Sequence, residues 1–430
     1  MKRAATALAV LVSLSLGFLS CGGYSAPGGG GSGSGLAFKA FVSNPLQTRP
    51  GGGTLPVLNI VDAAKDLLSP AVVSLSGSAN QPGLMALAPN KTFTMVFSTS
   101  NNSITLIDNA TESPVQGANG TLPSILLPDF SESMFVDPDD ATGWAAVPNA
   151  PVLGQDPGVV EVLRLGTASI KATLPIPGAH YIVQSHDGKR VLAMGETSNT
   201  VTVIDPSLIG TGSDQILTPV CCFDHPVGGV FSSDDTLAFI FNCGAECGGI
   251  EAGVTVLNMS DNTTGITIPV DGATAGLLSL NMLYVAGTPL APGNSCTGST
   301  TAATSCGRLD VINLSNLTVT GSAIITDGYH SRMELGANGR IFVAAKNCTN
   351  INNPPPGEVR GCLSIFNTNN SNVVIPPAVG NVTGLQAISG RSVVYVVQDG
   401  ELNIYDTTTD QLQSTQVDIL GQAFDVKLVD

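Results

Sequence analysis

The sequence has few charged residues, few aromatic rings and little positive charge. Only 12% of its 430 residues are charged and 5% are aromatic, and 17 Lys and Arg face 33 Asp and Glu, which gives a net charge of −16. Such a chain repels phosphate backbones, so we predict no nucleic acid partner. The scarcity of aromatic residues also argues against a channel that stacks on glycans.

Long apolar runs are absent apart from one near the N-terminus. The run from Ala4 to Phe18 is too short for a permanent membrane helix but, behind Lys2 and Arg3, is typical of a signal peptide core. It ends at FLSC, and Cys21 is followed by GGYSAPGGGGSGSG. This segment resembles the lipobox of bacterial lipoproteins, in which the cysteine becomes the acylated N-terminus after cleavage.

The lipobox resemblance implies a signal peptide over 1–20 and a lipidated Cys21 with a Gly/Ser tether over 21–35. The rest of the chain, 36–430, is predicted to be one folded domain, because it consists of repeats that share one continuous core. We therefore predict an exported protein of the cell envelope that touches the membrane only through its lipid anchor. Gly22 after the cysteine resembles the pattern of outer-membrane lipoproteins. The alternative is an ordinary secreted protein with a free cysteine.

Common catalytic signatures are also missing. The chain contains no GxSxG, HExxH or Walker A pattern, and GxGxxG spacing occurs only in the tether, where no strand precedes it and no helix follows. We predict no cofactor and favour a binding or scaffold protein over an enzyme.

What the chain does contain is a short pattern that recurs about every fifty residues. In SNTVTVIDPS, apolar residues alternate with Thr202 and stop at Asp205, which is typical of a half-buried strand that runs into a tight turn. Seven copies end in Asp or Asn and an eighth, degenerate copy ends in Arg: Asp62, Asp108, Arg164, Asp205, Asn258, Asn313, Asn367 and Asp406. We interpret the Asx side chain as an acceptor for backbone amides of the turn.

Each copy lies among other short β-prone runs separated by turn residues, so each unit is predicted to be four antiparallel strands. The segment SHDGKRVLAMGETSNTVTVID resembles the YVTN-type β-propeller repeat of extracytoplasmic bacterial and archaeal proteins. This resemblance covers about 37–430 and implies an all-β propeller of eight four-stranded antiparallel blades, with seven as the alternative. The fold implies no single activity. Because the repeat superfamily includes lactonases, a lactonase-like or other hydrolase acting at the channel mouth is the alternative function.

The two ends of the chain predict how the ring closes. FKAFVSN, at the start, corresponds to the second strand of a unit, whereas GQAFDVKLVD, at the end, contains one strand too many. We predict that Phe424 to Val429 pairs into the first blade and closes the ring, which hides the edges of an open array.

Eight cysteines follow Cys21, an even number that predicts disulfides in an exported chain. They are Cys221 and Cys222 before unit five, Cys243 and Cys247 within unit five, Cys296 and Cys306 within unit six, and Cys348 and Cys362 within unit seven. The pairs of units six and seven are predicted to bond locally. The four around unit five pair among themselves, either within each pair or by two links between the segments. Zinc is the competing interpretation, but no second CxxC and no paired histidines accompany them, so we predict no metal site.

The cysteine-bearing connections should all emerge on one face of the ring, and long loops clustered on one face indicate a binding surface. We predict a partner site there, for an envelope protein or a small polar ligand. Acidic residues and histidines precede the innermost strands on the same face, among them Asp129 and Asp271. Our candidate ligand-binding residues are His180, Asp224, His225, Asp327, His330, Arg332 and Glu334. The alternative is that the acids form turns and the histidines are surface groups.

Overall fold

The computed structural model describes residues 33–48, 53–75, 81–116, 124–213, 215–289, 306–348, 361–414 and 417–430. The predicted signal peptide, Cys21, most of the tether and Cys296 lie outside these residues. One compact unit spans 32–430. In the part of the chain described, no helix is long and apolar enough to cross a bilayer.

The described chain is built almost entirely of short strands, with four 3-10 turns at Leu165–Thr167, Pro206–Leu208, Gly244–Cys247 and Ala337–Gly339. The strands are β1 (Lys39–Thr48), β2 (Thr54–Asp62), β3 (Leu67–Ser74), β4 (Pro82–Leu87), β5 (Phe93–Ser98), β6 (Ser103–Asp108), β7 (Ser113–Pro114), β8 (Ser124–Leu126), β9 (Ser133–Val136), β10 (Thr142–Val147), β11 (Val159–Arg164), β12 (Ser169–Pro175), β13 (Ala179–Gln184), β14 (Val191–Gly195), β15 (Thr200–Ile204), β16 (Leu217–Cys221), β17 (Pro226–Phe231), β18 (Leu237–Asn242), β19 (Gly253–Asn258), β20 (Thr263–Pro269), β21 (Ala275–Ser279), β22 (Met282–Gly287), β23 (Gly307–Asn313), β24 (Thr318–Ile325), β25 (Tyr329–Gly336), β26 (Arg340–Lys346), β27 (Leu363–Asn367), β28 (Val373–Val374), β29 (Val382–Ala387), β30 (Val393–Gln398), β31 (Glu401–Asp406), β32 (Gln411–Leu412) and β33 (Asp425–Leu428).

These strands form eight antiparallel sheets that follow one another along the chain. Blade 1 has the order β3-β2-β1-β33, blade 2 has β4-β5-β6-β7 with β8 also on β6, and blades 3 to 8 take four consecutive strands each from β9 to β32. The innermost strands of neighbouring blades contact one another in a circle, from β4 through β9, β13, β17, β21, β25 and β29 to β33 and back to β4. The fold is therefore an eight-bladed β-propeller, which confirms the predicted fold and the favoured blade number.

The C-terminal strand closes the ring, as predicted. Strand β33 pairs antiparallel with β1, with Ala40 opposite Leu428 and Ser43 opposite Asp425. Gly384 allows the neighbouring blade to approach, because a Cβ atom there would lie 3.1 Å from the Asp425 Cα and the Val426 nitrogen. The first blade thus combines both ends of the described chain, and its closure depends on long-range pairing.

The Asx residues act as the sequence predicts. All seven accept a backbone N–H from two residues further on, at 2.6 to 3.0 Å. At the degenerate copy, Arg164 precedes a 3-10 turn and makes no such side-chain bond. Asp399 and Gly400 form a two-residue hairpin turn in the last blade, both with positive φ, between paired Gln398 and Glu401.

The third strands differ from the half-buried pattern that their alternation predicts. In β15, Thr202 is as deeply buried as Val201 and Val203. The reason is that a propeller blade is covered on both faces by its two neighbours. The core accordingly consists of clusters between blades, such as the one that packs Trp144 of blade 3 against Val191 of blade 4.

Candidate functional site

The connections of the propeller divide between two faces of the ring. Connections from second to third strands and those from one blade to the next emerge on one face, which we call the cysteine face. The connections from first to second and from third to fourth strands emerge on the opposite face. The described chain enters on the opposite face, where Ser34 and Lys39 both bond to Glu112 in the β6–β7 turn.

Two predicted disulfides are present on the cysteine face. Cys243 bonds to Cys247 and Cys348 bonds to Cys362, each with Cα atoms 5.6 Å apart. Cys306 is also disulfide-bonded, while its predicted partner lies outside the described residues. The bond within unit five excludes links between that connection and the one before it.

The prediction that Cys221 and Cys222 form disulfides is not met, because both thiols are free and exposed. Their Sγ atoms lie 2.9 Å apart, too far for a bond. Side chains of adjacent residues in a strand normally point to opposite faces. Cys222 directly follows β16 and has a positive φ, which brings its thiol to the same side as that of Cys221.

The seven candidate ligand-binding residues do not converge at one place. Asp224 accepts the N–H groups of Ile250 and Glu251 at 2.7 and 2.8 Å, and His225 Nδ1 lies 3.0 Å from its carboxylate. This acid therefore organises the disulfide loop of blade 5, in agreement with the turn-forming alternative. Asp327 is buried.

His330 and Glu334 each contact a backbone group of the protein. His330 is fully buried, with Nε2 3.0 Å from the carbonyl oxygen of Thr326, and burial lowers its pKa to about 4. Glu334 accepts the N–H of Ala387 at 2.9 Å. Regular alternation would place His330, Arg332 and Glu334 on one side of the strand. Strand β25 is bulged between His330 and Arg332, which takes His330 out of that alternation.

His180 and Arg332 do line a common cavity at the mouth of the channel on the cysteine face. This channel-mouth pocket has a volume of about 380 Å³, within the range of small-molecule sites. Its charged lining residues are Glu132, His180, Glu196, Arg332 and Lys346. Leu84, Phe97, Phe130 and Phe424 add apolar surface.

His180 is held between two glutamates at the pocket wall formed by blades 3 and 4. Its Nδ1 lies 2.6 Å from Glu196 Oε2 and its Nε2 lies 2.9 Å from Glu132 Oε2. Burial lowers the pKa of His180, but the two carboxylates outweigh burial and raise it to about 9. The His180 hydrogen bond in turn lowers the pKa of Glu132. At neutral pH this wall is a carboxylate–imidazolium–carboxylate triad with one net negative charge.

Two tyrosines bridge the channel between opposite sides of the ring. The hydroxyls of Tyr181 in blade 4 and Tyr329 in blade 7 lie 3.0 Å apart. Burial raises the pKa of Tyr181 to about 12 and that of Tyr329 further, so both phenols are neutral donors and acceptors. Tyr181 also stacks on His180 with ring centroids 4.3 Å apart, which fixes the imidazole from its face.

The wall formed by blade 7 carries positive charge. Arg332 donates from Nη1 to Asp425 Oδ1 at 2.7 Å, and Lys427 Nζ lies 4.0 Å from the same oxygen. Asp425 is fully buried; burial raises its pKa, but the two cations outweigh burial and hold it below the usual range. The Lys346 ammonium group, in contrast, makes no direct ion pair or hydrogen bond among the described residues, although its charge contributes to the lowered pKa of Glu132.

Two hydroxyls in the pocket have no hydrogen-bond partner among the described residues. They are Ser331 Oγ in blade 7 and Thr383 Oγ1 in blade 8, and both atoms are buried. Leaving such a group unpaired costs about 1–3 kcal/mol, and both residues belong to the pocket lining.

Sequence reasoning missed the residues that complete this pocket: Glu132, Tyr181, Glu196, Tyr329 and Lys346. A signal was available, because HY follows GA at the start of β13 and YH follows DG at the start of β25. Both tyrosines lie near the start of an innermost strand, where side chains can reach the channel. No set of three or more metal-binding side chains is found within the described ranges.

Comparison with protein-family models and with curated proteins finds no match. Among solved structures, the chain is similar to the dihydro-heme d1 dehydrogenase NirN in complex with DHE (TM-score 0.60, 12% identity, 93% of this chain and 76% of that one). It is also similar to Kuenenia stuttgartiensis hydrazine synthase (TM-score 0.54, 12% identity, 79% of this chain and 96% of that one). A third similar structure is a functionally unknown protein from Desulfotomaculum acetoxidans (TM-score 0.51, 11% identity, 91% of this chain and 98% of that one). At this identity the likeness establishes the propeller fold alone.

Proposed function

We propose that this protein is a lipid-anchored lipoprotein of the cell envelope, held in the outer membrane, whose propeller binds a small polar ligand at the cysteine face. The observation that carries the binding role is the channel-mouth pocket, where charged side chains, two phenols and two unpartnered hydroxyls converge. Small-molecule sites combine apolar walls with a few placed polar groups in this way.

The entry point of the chain agrees with an anchored protein that presents its pocket outward. Ser34 and Lys39 lie on the face opposite the pocket. A lipid attached ahead of them through a glycine-serine tether therefore leaves the channel mouth free to face away from the membrane.

Binding is favoured over hydrolysis because the described pocket lining contains no activated nucleophile. Ser331 has no partner, and Ser131 donates to the carbonyl oxygen of Ser133 at 3.2 Å. A nucleophilic serine requires an adjacent base. His180 is charged at neutral pH and both of its nitrogens are engaged by carboxylates, so it does not supply that base.

The anchor is tested by mass spectrometry of the protein purified from membranes of a bacterial host that processes lipoproteins. We expect a mature N-terminus at Cys21 carrying acyl chains. Replacement of Cys21 by Ser should release the protein into the soluble fraction. An unmodified N-terminus, or cleavage elsewhere, contradicts the anchored form.

The pocket is tested by a thermal-shift screen of small acidic, neutral and basic polar compounds, since a ligand that binds the folded state raises Tm by mass action. We expect one chemical class to raise Tm, and Lys346→Met to abolish that rise. Lys189→Met is the matched control, because Lys189 lies on the opposite face and its side chain is 77% exposed. Turnover of a bound compound would favour the hydrolase alternative, and no binding in any class would remove the proposed role.

A further inference from the structure

We infer that the ligand of the channel-mouth pocket is a small hydroxylated organic acid, with its carboxylate held on the blade 7 side by Lys346 and Arg332. The inference rests on the proposed binding function and names the chemical class that the pocket accepts. Its basis is the separation of charge between the two walls of the pocket.

The positive wall is unusual in a chain with a net charge of −16. Arg332 and Lys346 come from the neighbouring strands β25 and β26 and line the same pocket. Lys346 is half-buried and makes no direct ion pair within the described residues, although its charge contributes to the lowered pKa of Glu132 on the other wall. No carboxylate of the described chain thus contacts its ammonium group, and an anionic ligand can take that place.

Arg332 has donors left for the same anion. A guanidinium group carries five N–H donors, and in the described structure only Nη1 is engaged, by Asp425. That bond fixes the orientation of the group at the pocket wall. Among the anionic groups of small metabolites, carboxylate and phosphate match the arginine fork best, because two of their oxygens can accept two parallel N–H bonds.

The unpartnered hydroxyls of Ser331 and Thr383 lie on this same side, in blades 7 and 8. A hydroxyl donates readily to a carboxylate oxygen. Two cations and two hydroxyl-bearing residues therefore line the same side of the pocket.

The opposite wall selects the other end of the ligand. The triad of Glu132, His180 and Glu196 is net negative, so it repels a second carboxylate and favours donors such as hydroxyls. Phe97, Phe130 and Phe424 contact the space between the walls, where a carbon skeleton fits. A monocarboxylic acid with hydroxyl groups meets both walls.

The experiment is isothermal titration of the full protein with glucuronate and galacturonate, each paired with glucose or galactose, which differ only in lacking the carboxylate. Lactate and inorganic phosphate complete the anions, and glucosamine is the cationic probe. We expect the hydroxy acids to bind and the neutral and cationic sugars not to bind. Affinity should fall as salt is raised.

Lys346→Met should weaken hydroxy-acid binding about tenfold to hundredfold, and Ser331→Ala with Thr383→Val should weaken it further. Lys189→Met should have no effect.

Binding of phosphate alone assigns the site to phosphate compounds and overturns the carboxylate assignment. A third outcome is that neutral or cationic sugars bind, that Lys346→Met does not alter their binding, and that acids do not bind. This outcome overturns the inference but leaves the binding function in place. Failure of acids, neutral sugars and amines alike overturns both.

Discussion

In an NMR titration of the four histidine imidazoles, His180 will lose its proton at about pH 9 and His330 at about pH 4. His330 is fully buried and His180 is partly buried, which disfavours the charged form of both. For His180 the two flanking carboxylates reverse that effect. His330 has no such pair of flanking carboxylates. The carbonyl of Thr326 and the nearby Asp327 raise its pKa, but they offset only part of the decrease that burial causes.

The glutamates are tested one at a time. Glu132→Gln and Glu196→Gln should each move the His180 midpoint down toward the ordinary value of about 6.5, while His330 should stay unchanged. The signals are assigned by replacing each histidine with Gln. A His180 midpoint near 6.5 in the wild-type protein would show that the triad does not form in solution.

These two pKa shifts also make the free energy of unfolding depend on pH. His180 has a folded pKa above its unfolded value, so its contribution is fully present below about pH 6.5 and is lost as pH rises through about 9. His330 has a lowered folded pKa, so its contribution is present above about pH 6.5 and is lost as pH falls through about 4. Each contribution is on the order of 2 kcal/mol, and urea unfolding should show the maximum between these limits.

Replacing Asp425 with Ala should reduce the free energy of unfolding by about 3–5 kcal/mol, the usual cost of removing one partner of a buried ion pair. Its carboxylate accepts the N–H of Met85 in blade 2 at 2.9 Å and Arg332 of blade 7 at 2.7 Å. It thus connects the closing strand to blades on both sides. Without it, the positive charges of Arg332 and Lys427 lose their closest counter-charge and keep only the weaker interaction with Glu334.

Urea unfolding of Asp425→Ala, Asp425→Asn and Asp418→Ala measures this effect. Asp425→Asn retains an acceptor for Met85 and should be intermediate. Asp418 is an exposed acid in the segment that leads into the same strand, so its replacement should cost less than about 0.5 kcal/mol. Equal midpoints for Asp425→Ala and Asp418→Ala would contradict a role of this carboxylate in closure.

Features set by neighbours in sequence were predictable. The Asx at each strand end bonds an amide two residues away, and the cysteines of one connection need only that loop to meet, as Cys348 and Cys362 do. Closure was predictable too, since a missing first strand and a surplus last strand leave one solution.

The pocket was not predictable, because its partners are far apart in the chain and its geometry depends on bulges. Glu132 and Glu196 meet at His180 only because blades 3 and 4 are adjacent in the ring. Tyr181 and Tyr329 are separated by 148 residues. A one-residue bulge reverses which side chains of an innermost strand face the channel, and in β25 it leaves Arg332 at the pocket and His330 in the core.

The sequence by itself determined the repeat and the four-stranded unit, because short-range hydrogen bonding and apolar patterning decide these. It also determined the way the ring closes, because the strand missing from the first unit is matched by a surplus strand after the last. Only the tertiary structure decided which polar groups share the channel mouth and what charge they carry. That is so because the curvature of the ring and the bulges of its inner strands set those distances, and burial and neighbouring charges then set the protonation of His180 and His330.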